Sequence, residues 1–354
     1  MLPRVAPVAQ PLQPLLVGYY GEHNLGDDAL LEVLLSQLPP GCRPTVTAHD
    51  QALVAERFGL ASVDRRQLGA VLAALGRSDA LVLGGGSLLQ DATSLASLLY
   101  YAALILAARI QAKPVLLWAQ GLGPLRRRRS RLLVRGLLAL VTACSWRDQA
   151  SAQLAASLGW REVQENVAAD PVWSLAAPSW HGPGGPIVLC FRPTSQLQGA
   201  AWQPWLGALE QLAPDRELIW LPFHAHQDRG LLDSLRQQGL LSPALLSRSR
   251  ELPVEQPAEA MELCAGAGLV LAMRLHGLIL AANCGAPTAA LSYDPKVSAA
   301  AADLGCLCTP LDNPAPDDLT AQWRRCLDQP PSLPRLERLR ASAARHRALL
   351  ARLT

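Results

Sequence analysis

The chain has 354 residues, half of them hydrophobic and 17% charged, with a formal net charge of +3. That length exceeds the usual span of one hydrophobic core, so it predicts two domains with large cores and little disorder. The small charge and the scarcity of aromatics other than nine tryptophans argue against a nucleic-acid partner.

The first 13 residues carry Pro3, Pro7 and Pro11 and no clean apolar stretch, so they read as neither a signal peptide nor a membrane anchor. Residues 15–20 predict a buried parallel strand, followed by a loop and a helix over about 27–38. Residues 80–83 form a second strand running into Gly84-Gly85-Gly86. A long helix over 94–110 follows. Its apolar run, 95–110, is short of the ~20 residues a membrane span needs and includes Arg109, so it reads as a buried helix of a soluble protein. Further strands are expected at 114–118 and 141–145. Apolar strands alternating with helices predict a parallel sheet covered on both faces.

Residues 178–186 hold three prolines and three glycines, the composition of a linker. The alternation then restarts, with strands at 187–191, 218–221, 269–272 and 288–292. After Pro330-Pro331 comes an arginine-rich amphipathic helix over 334–353. The expected architecture is α/β: a first doubly wound domain over 1–178, a second over 186–333, and a last segment, 334–354. A ligand cleft is expected between the halves, at the strand C-termini. The eight cysteines show no Cys-x-x-Cys spacing, which makes free thiols in a reducing cytosol the simplest account.

Between the first strand and helix lies Gly18-Tyr19-Tyr20-Gly21-Glu22-His23-Asn24-Leu25-Gly26-Asp27-Asp28. Gly21 and Gly26 allow backbone to approach a ligand, and a helix N-terminus suits an anion or polar group. The spacing is not that of a dinucleotide fingerprint. Asp27 and Asp28 read either as helix caps or, for one of them, as a general base toward a hydroxyl. The run Gly84-Gly85-Gly86-Ser87-Leu88-Leu89-Gln90-Asp91 reads as a tight turn or a close approach. With Gln90, Asp91, Thr93 and Ser94 it makes a polar edge suited to sugar hydroxyls. Trp118-Ala119-Gln120-Gly121-Leu122-Gly123-Pro124 is a third glycine-marked strand exit. Arg147, next to Asp148, reads as a helix-start ion pair or an anion clamp.

His224, His226 and Asp228 suggest a metal cluster only in outline. No further ligand set is evident, and contact with a ligand or plain loop structure is the better reading. Arg126-Arg127-Arg128-Arg129, Arg131 and Arg135 interleave with leucines, as in a solvated helix face or a basic amphipathic helix resting on anionic lipid. Met273-Arg274-Leu275-His276 lies inside an otherwise apolar run, 268–293, and Asp294-Pro295-Lys296 follows it directly. Buried cations must be paired, so Arg274, His276 and Lys296 together suggest a pocket for a small dianion, such as a phosphate or a phosphorylated carboxylate.

Taken in order, these motifs, with Ala169-Asp170-Pro171 and Tyr293, resemble the polysaccharide pyruvyl transferases, particularly their cell-surface polysaccharide (CsaB-type) branch. The likeness spans nearly the whole chain. It implies a GT-B-like fold of two Rossmann-like domains facing a cleft, with the C-terminal helix returning to the N-terminal domain. It implies phosphoenolpyruvate as donor and a pyruvate ketal on a sugar as product, with no metal or cofactor. Carried onto this sequence, it implies that His276, Asp27 and Arg147 act in catalysis and that Arg274, Leu275, His276, Lys296 and Arg147 hold the donor. Asn24, Gly85, Gly86, Gln90 and Asp91 would hold a sugar acceptor, either free or lipid-linked. A cytoplasmic enzyme with peripheral contact to the inner membrane face through residues 126–135 follows as an expectation. The competing expectation is a nucleotide-sugar glycosyltransferase on the same architecture, for which Glu255, Glu259 and Glu262 supply candidate ribose ligands. A carbohydrate-binding protein without turnover is the third.

Overall fold

A computed structural model describes residues 11–92, 94–161, 166–311 and 315–353. Thr93 and the first ten residues, with Pro3 and Pro7, lie outside the described residues.

Among the described residues, twelve strands form two six-stranded sheets in which every pairing is parallel. The first contains β1 (Pro14–Tyr20), β2 (Thr45–Ala48), β3 (Ala61–Asp64), β4 (Ala80–Gly84), β5 (Val115–Gln120) and β6 (Ala143–Trp146), in the order β3-β2-β1-β4-β5-β6. The second contains β7 (Ile187–Cys190), β8 (Leu218–Trp220), β9 (Ser249–Glu251), β10 (Leu269–Ala272), β11 (Thr288–Ser292) and β12 (Leu307–Pro310), in the order β12-β11-β10-β7-β8-β9. In each sheet the chain winds outward from the first strand, then returns to its other side. The direction of winding therefore reverses between β1 and β4 and between β7 and β10, where parallel sheets open a crevice at their carboxyl ends. The central strands are buried on both faces, which is why they read as unbroken apolar runs.

The chain divides into two compact units, one of Met1–Glu22, Leu30–Pro171 and Ala344–Thr354 and one of His23–Ala29 and Val172–Ala343. The second unit begins before the segment 178–186, which therefore lies inside it. The helix Leu333–Ala344 is counted almost wholly with the second unit, and the chain returns to the first only at Ala344.

That return is anchored by His346, which is 1% exposed. Its Nε2 lies 2.9 Å from the Ala169 carbonyl and its Nδ1 lies 2.8 Å from Ser145 Oγ. A carbonyl can only accept, so Nε2 carries the proton and Nδ1 accepts from the serine. Ser145 Oγ in turn accepts the Ala119 N–H at 2.9 Å. Ala119 has a φ of +49°, a costly conformation for a residue with a side chain, and it sits at the irregularity in the β5–β6 register that leads to Gln120.

The helix Leu95–Ile110 is not simply buried. Leu98, Tyr101, Leu104, Ile105 and Ala108 enter the core, while Leu95, Leu99, Leu106 and Ile110 are exposed on another face. Among the described residues, no helix is long and apolar enough to cross a membrane.

Burial pushes the His346 imidazole down to about 4, so it stays neutral in the folded chain while the unfolded chain protonates it near 6.5. Stability is thus full above 6.5 and declines as the pH falls toward 4, by up to roughly 3 kcal/mol at about 1.4 kcal/mol per pH unit. Urea unfolding should show this acid-side decline in the native chain and a flattened one in His346→Gln. An undiminished slope in the variant would remove the assignment.

Candidate active site

The carboxyl edge of the second sheet gathers the residues singled out within and just after the run 268–293. Arg274 is the N-cap residue of the helix Leu275–Asn283, directly after β10, with Leu275 and His276 in its first turn. Asp294, after the adjacent strand β11, caps the helix Pro295–Leu304 by accepting the Lys296 N–H at 2.9 Å. Because β10 and β11 are parallel neighbours, Arg274, His276 and Lys296 arrive at the same edge of one sheet.

Arg274 is not a bare cation. Its Nε donates to Asp228 Oδ2 at 3.0 Å, its Nη2 to Asp228 Oδ1, and Nη2 again to Gln227 Oε1 at 3.1 Å. Asp228 has a fully buried side chain and also accepts the N–H groups of Phe223 (3.1 Å) and His224 (2.8 Å). The fork thus ties the end of β10 to the loop after β8, and it leaves Nη1 outside the pair. This also explains the His-x-His segment: its aspartate serves an arginine and two backbone groups. Among the described residues, no group of three or more His, Cys, Asp or Glu is placed to hold a metal.

The N-terminal motif reaches the same edge. Asn24 pairs with His224 in an antiparallel bridge, the Leu25 N–H donates to the Phe223 carbonyl at 3.0 Å, and the Ala225 N–H donates to the His23 carbonyl at 2.9 Å. Gly26 lies so close to His276 that a Cβ there would fall 2.0 Å from the imidazole Nδ1. Only glycine permits that approach, so the ligand-approach reading of Gly26 is corrected: what it admits is a catalytic candidate's ring. The helix cap is Asn24, whose Oδ1 accepts the Gly26 N–H at 3.1 Å, while its Nδ2 donates to Asp27 Oδ2 at 2.5 Å. Asp27 is held by the capping residue and is not itself that cap.

Within the first unit, Arg147 follows β6 and is 7% exposed. Its Nη2 donates to Ser87 Oγ at 2.9 Å and its Nη1 to Asp170 Oδ2 at 3.4 Å, with Asp148 Oδ2 3.7 Å from Nε. A Cβ at Gly121 would fall 2.4 Å from Ser87 Oγ and 2.7 Å from Arg147 Nε, so this glycine makes room for the arginine. Gly85 and Gly86 have φ values of +69° and +72° and form the turn after β4, whose carbonyls accept from Gln120 Nε2 (2.9 Å, Gly85) and the Gly121 N–H (2.7 Å, Gly86). Gln90 is half-buried and its Oε1 accepts the Ala92 N–H at 2.7 Å. Asp91 gives both carboxylate oxygens to backbone, accepting the N–H groups of Arg126 (2.7 Å) and Arg127 (2.9 Å). Burial would raise its carboxyl, but these bonds hold it below the usual carboxylate range. Its position fits the seating of the arginine helix better than contact with a sugar.

Residues 24–295 match the polysaccharide pyruvyl transferase family, a span that begins at Asn24 and ends one residue before Lys296. The chain belongs to this family. No curated protein matches it by sequence. Among solved structures, it is similar to the UDP-GlcNAc 2-epimerase of Methanocaldococcus jannaschii, with a TM-score of 0.64 at 13% identity over 97% of this chain and 99% of that one. It is also similar to Anabaena HepE, solved with UDP and glucose (0.56, 14%, 97% of each), and to Acinetobacter baumannii MurG (0.54, 13%, 97% and 100%). At such identities the likeness speaks for the fold, the GT-B architecture of two Rossmann-like domains.

The sequence motifs leave out one residue of this family member, Arg192, and give Asp228 no part in holding Arg274. Arg192 follows β7 by one residue, donates from Nη1 to the Tyr293 hydroxyl at 3.0 Å, and stacks 5.1 Å above that ring. Asp228 was noticed only as a metal candidate. Of the glutamates considered for a nucleotide, Glu259 is taken up in capping, accepting the N–H groups of Glu255 (2.8 Å) and Gln256 (3.2 Å).

Removing one partner of a buried fork strands the other charge. Asp228→Ala should therefore destabilise the chain by about 3–5 kcal/mol in urea unfolding, and Asp228→Ala combined with Arg274→Met should recover much of it. A cost below about 1 kcal/mol in the single variant would mean the pair does not hold this edge.

Proposed function

We propose that the chain transfers the enolpyruvyl group of phosphoenolpyruvate to two hydroxyls of a sugar in a cell-surface polysaccharide or its precursor, forming a pyruvate ketal and releasing phosphate. The observation that carries this reading is the arrival of Arg274, His276 and Lys296 at one edge of the second sheet, after two adjacent parallel strands, with Gly26 packed against His276. Phosphoenolpyruvate presents a phosphate and a carboxylate, and a cationic edge beside helix N-termini complements both.

The reaction needs a proton delivered to the methylene carbon, which leaves the central carbon electron-poor. A first sugar hydroxyl adds there, the carbon–oxygen bond to phosphate breaks, and a second hydroxyl closes the ketal. Of the two protons lost by the sugar, one is balanced by the new methyl group and the other leaves on phosphate. In this scheme His276 donates the proton to carbon, while Lys296 and the Arg274 Nη1 left outside the Asp228 fork neutralise donor oxygens. The Leu275 backbone helps to seat the donor. Asp27, oriented by Asn24, accepts a proton from the acceptor hydroxyl. At the first unit's own strand exits, Gly85, Gly86 and Gln90 are suited to sugar hydroxyls and Arg147 to an anionic oxygen. The charges are neutralised by side chains, so the scheme calls for no metal or cofactor. Phosphoenolpyruvate is a cytoplasmic metabolite, which fits a cytoplasmic site of action.

A nucleotide-sugar glycosyltransferase is the reading this one must beat. It asks for a carboxylate free to meet a ribose, and Glu259 has a capping duty instead.

Incubation with phosphoenolpyruvate and candidate lipid-linked disaccharides should release phosphate and add a pyruvyl group detectable by mass. His276→Ala should lower that release by at least about a hundredfold, the scale of a lost general acid. Gly26→Ala should also depress turnover, by displacing the imidazole, while the chain stays folded by circular dichroism. Binding of UDP-sugars without binding of phosphoenolpyruvate, or normal turnover in His276→Ala, would sink the scheme.

A further inference from the structure

Residues 92–147 contain eight arginines and one lysine and no aspartate or glutamate, whereas the rest of the chain carries more acidic than basic residues. Seven of those arginines, Arg109, Arg126 to Arg129, Arg131 and Arg135, are exposed. The same stretch holds five of the seven large apolar side chains found exposed among the described residues: Leu95, Leu99, Leu106, Ile110 and Leu132. Neither property is scattered. Leu95, Leu99, Leu106 and Ile110 recur at helical spacing along one face of the helix Leu95–Ile110. Leu132 is exposed on the helix Arg128–Leu138 between Arg128 and Arg135, and the two helices pack side by side. Asp91 joins their starts, since it precedes the first helix and accepts the N–H groups of Arg126 and Arg127 that lead into the second.

From this we propose that the paired outer faces of Leu95–Ile110 and Arg128–Leu138 form a docking surface for an anionic phospholipid bilayer. Exposed leucines would enter the interfacial layer, while the arginine stems lie along it and carry their charges to the lipid phosphates. The charge pattern selects this occupant. A second copy of the chain would bring the same acid-free cationic surface against itself across a two-fold axis, where like charges repel. A nucleic acid would satisfy the arginines but leave the aliphatic side chains in water, and the surface lacks the exposed aromatics on which bases stack. Both helices begin at the carboxyl edge of the first sheet, close to the Gly85–Asp91 and Gly121–Pro124 exits. A chain bound through these faces would hold that edge beside the bilayer surface, where a lipid-linked substrate resides. The docking itself does not depend on the donor chemistry.

The test is flotation of the full chain with vesicles of phosphatidylcholine, and of phosphatidylcholine mixed with phosphatidylglycerol. The native chain should float with the anionic vesicles, fail to float with the neutral ones, and be released by added salt. Arg128→Gln/Arg131→Gln/Arg135→Gln should weaken partition by roughly fivefold per arginine. Leu99→Ser/Ile110→Ser/Leu132→Ser should weaken it at constant charge, and should leave turnover of a water-soluble acceptor unchanged. Equal flotation of native chain and both variants would overturn the proposal. So would retention by an oligonucleotide without vesicle binding, or a concentration-dependent dimer that the leucine variant abolishes while vesicles remain unbound.

Discussion

The candidate site depends on one buried fork, Arg274 to Asp228. An arginine at the mouth of a parallel strand would otherwise swing freely, and its helix would start wherever packing allowed. Held by a carboxylate with no exposed surface, it fixes the turn Met273–His276 and simultaneously fixes the backbone of Phe223 and His224. Those two residues present the edge to which Asn24 and Leu25 attach. The position of the His276 imidazole against Gly26 is then the last link in a chain of constraints that begins with a salt bridge. Such a bridge adds little net stability when its desolvation is counted. Its value here lies in geometry: for the proton donor proposed at His276, a misplacement of about an ångström would cost much of the effect.

Parallel sheets buried on both faces leave a strong trace in sequence, and eight strands with continuous apolar runs were legible on that ground. The four that were not, β2, β3, β9 and β12, have short or half-polar sequences, Thr45–Ala48, Ala61–Asp64, Ser249–Glu251 and Leu307–Pro310. Three of them are sheet edges, where one side meets solvent and the apolar signal is diluted. Unit boundaries were less legible still. Prolines and glycines mark where backbone bends, but the division into units follows contacts, and these begin the second unit at Val172.

The site was legible as chemistry and not as geometry. A cation between apolar residues announces that something must neutralise it, which made Arg274, His276 and Lys296 visible. It does not announce what. Asp228 lies 46 residues away from its partner, and nothing local distinguishes it from a surface aspartate. Gly26 shows the same limit: it gives way to a ring of this chain itself, as Gly121 gives way to a guanidinium group, and spacing alone cannot tell an internal occupant from an external one. Arg192 escaped notice because one arginine after a strand is common, and only the parallel topology makes that position special.

The segment His23–Ala29 belongs by its contacts to the second unit, although the chain on either side of it belongs to the first. Together with the return at Ala344, this makes the backbone pass between the units four times. Neither unit can then be lifted out as one uninterrupted stretch of gene. A chimera that exchanged residues 172–343 with those of a relative would inherit a foreign partner for the Asn24–Gly26 strip, set against a His276 it had not accompanied. In this architecture simple shuffling of halves breaks the pairing of the Asn24–Gly26 strip with His276, whereas point substitution in the strand-exit loops leaves it intact.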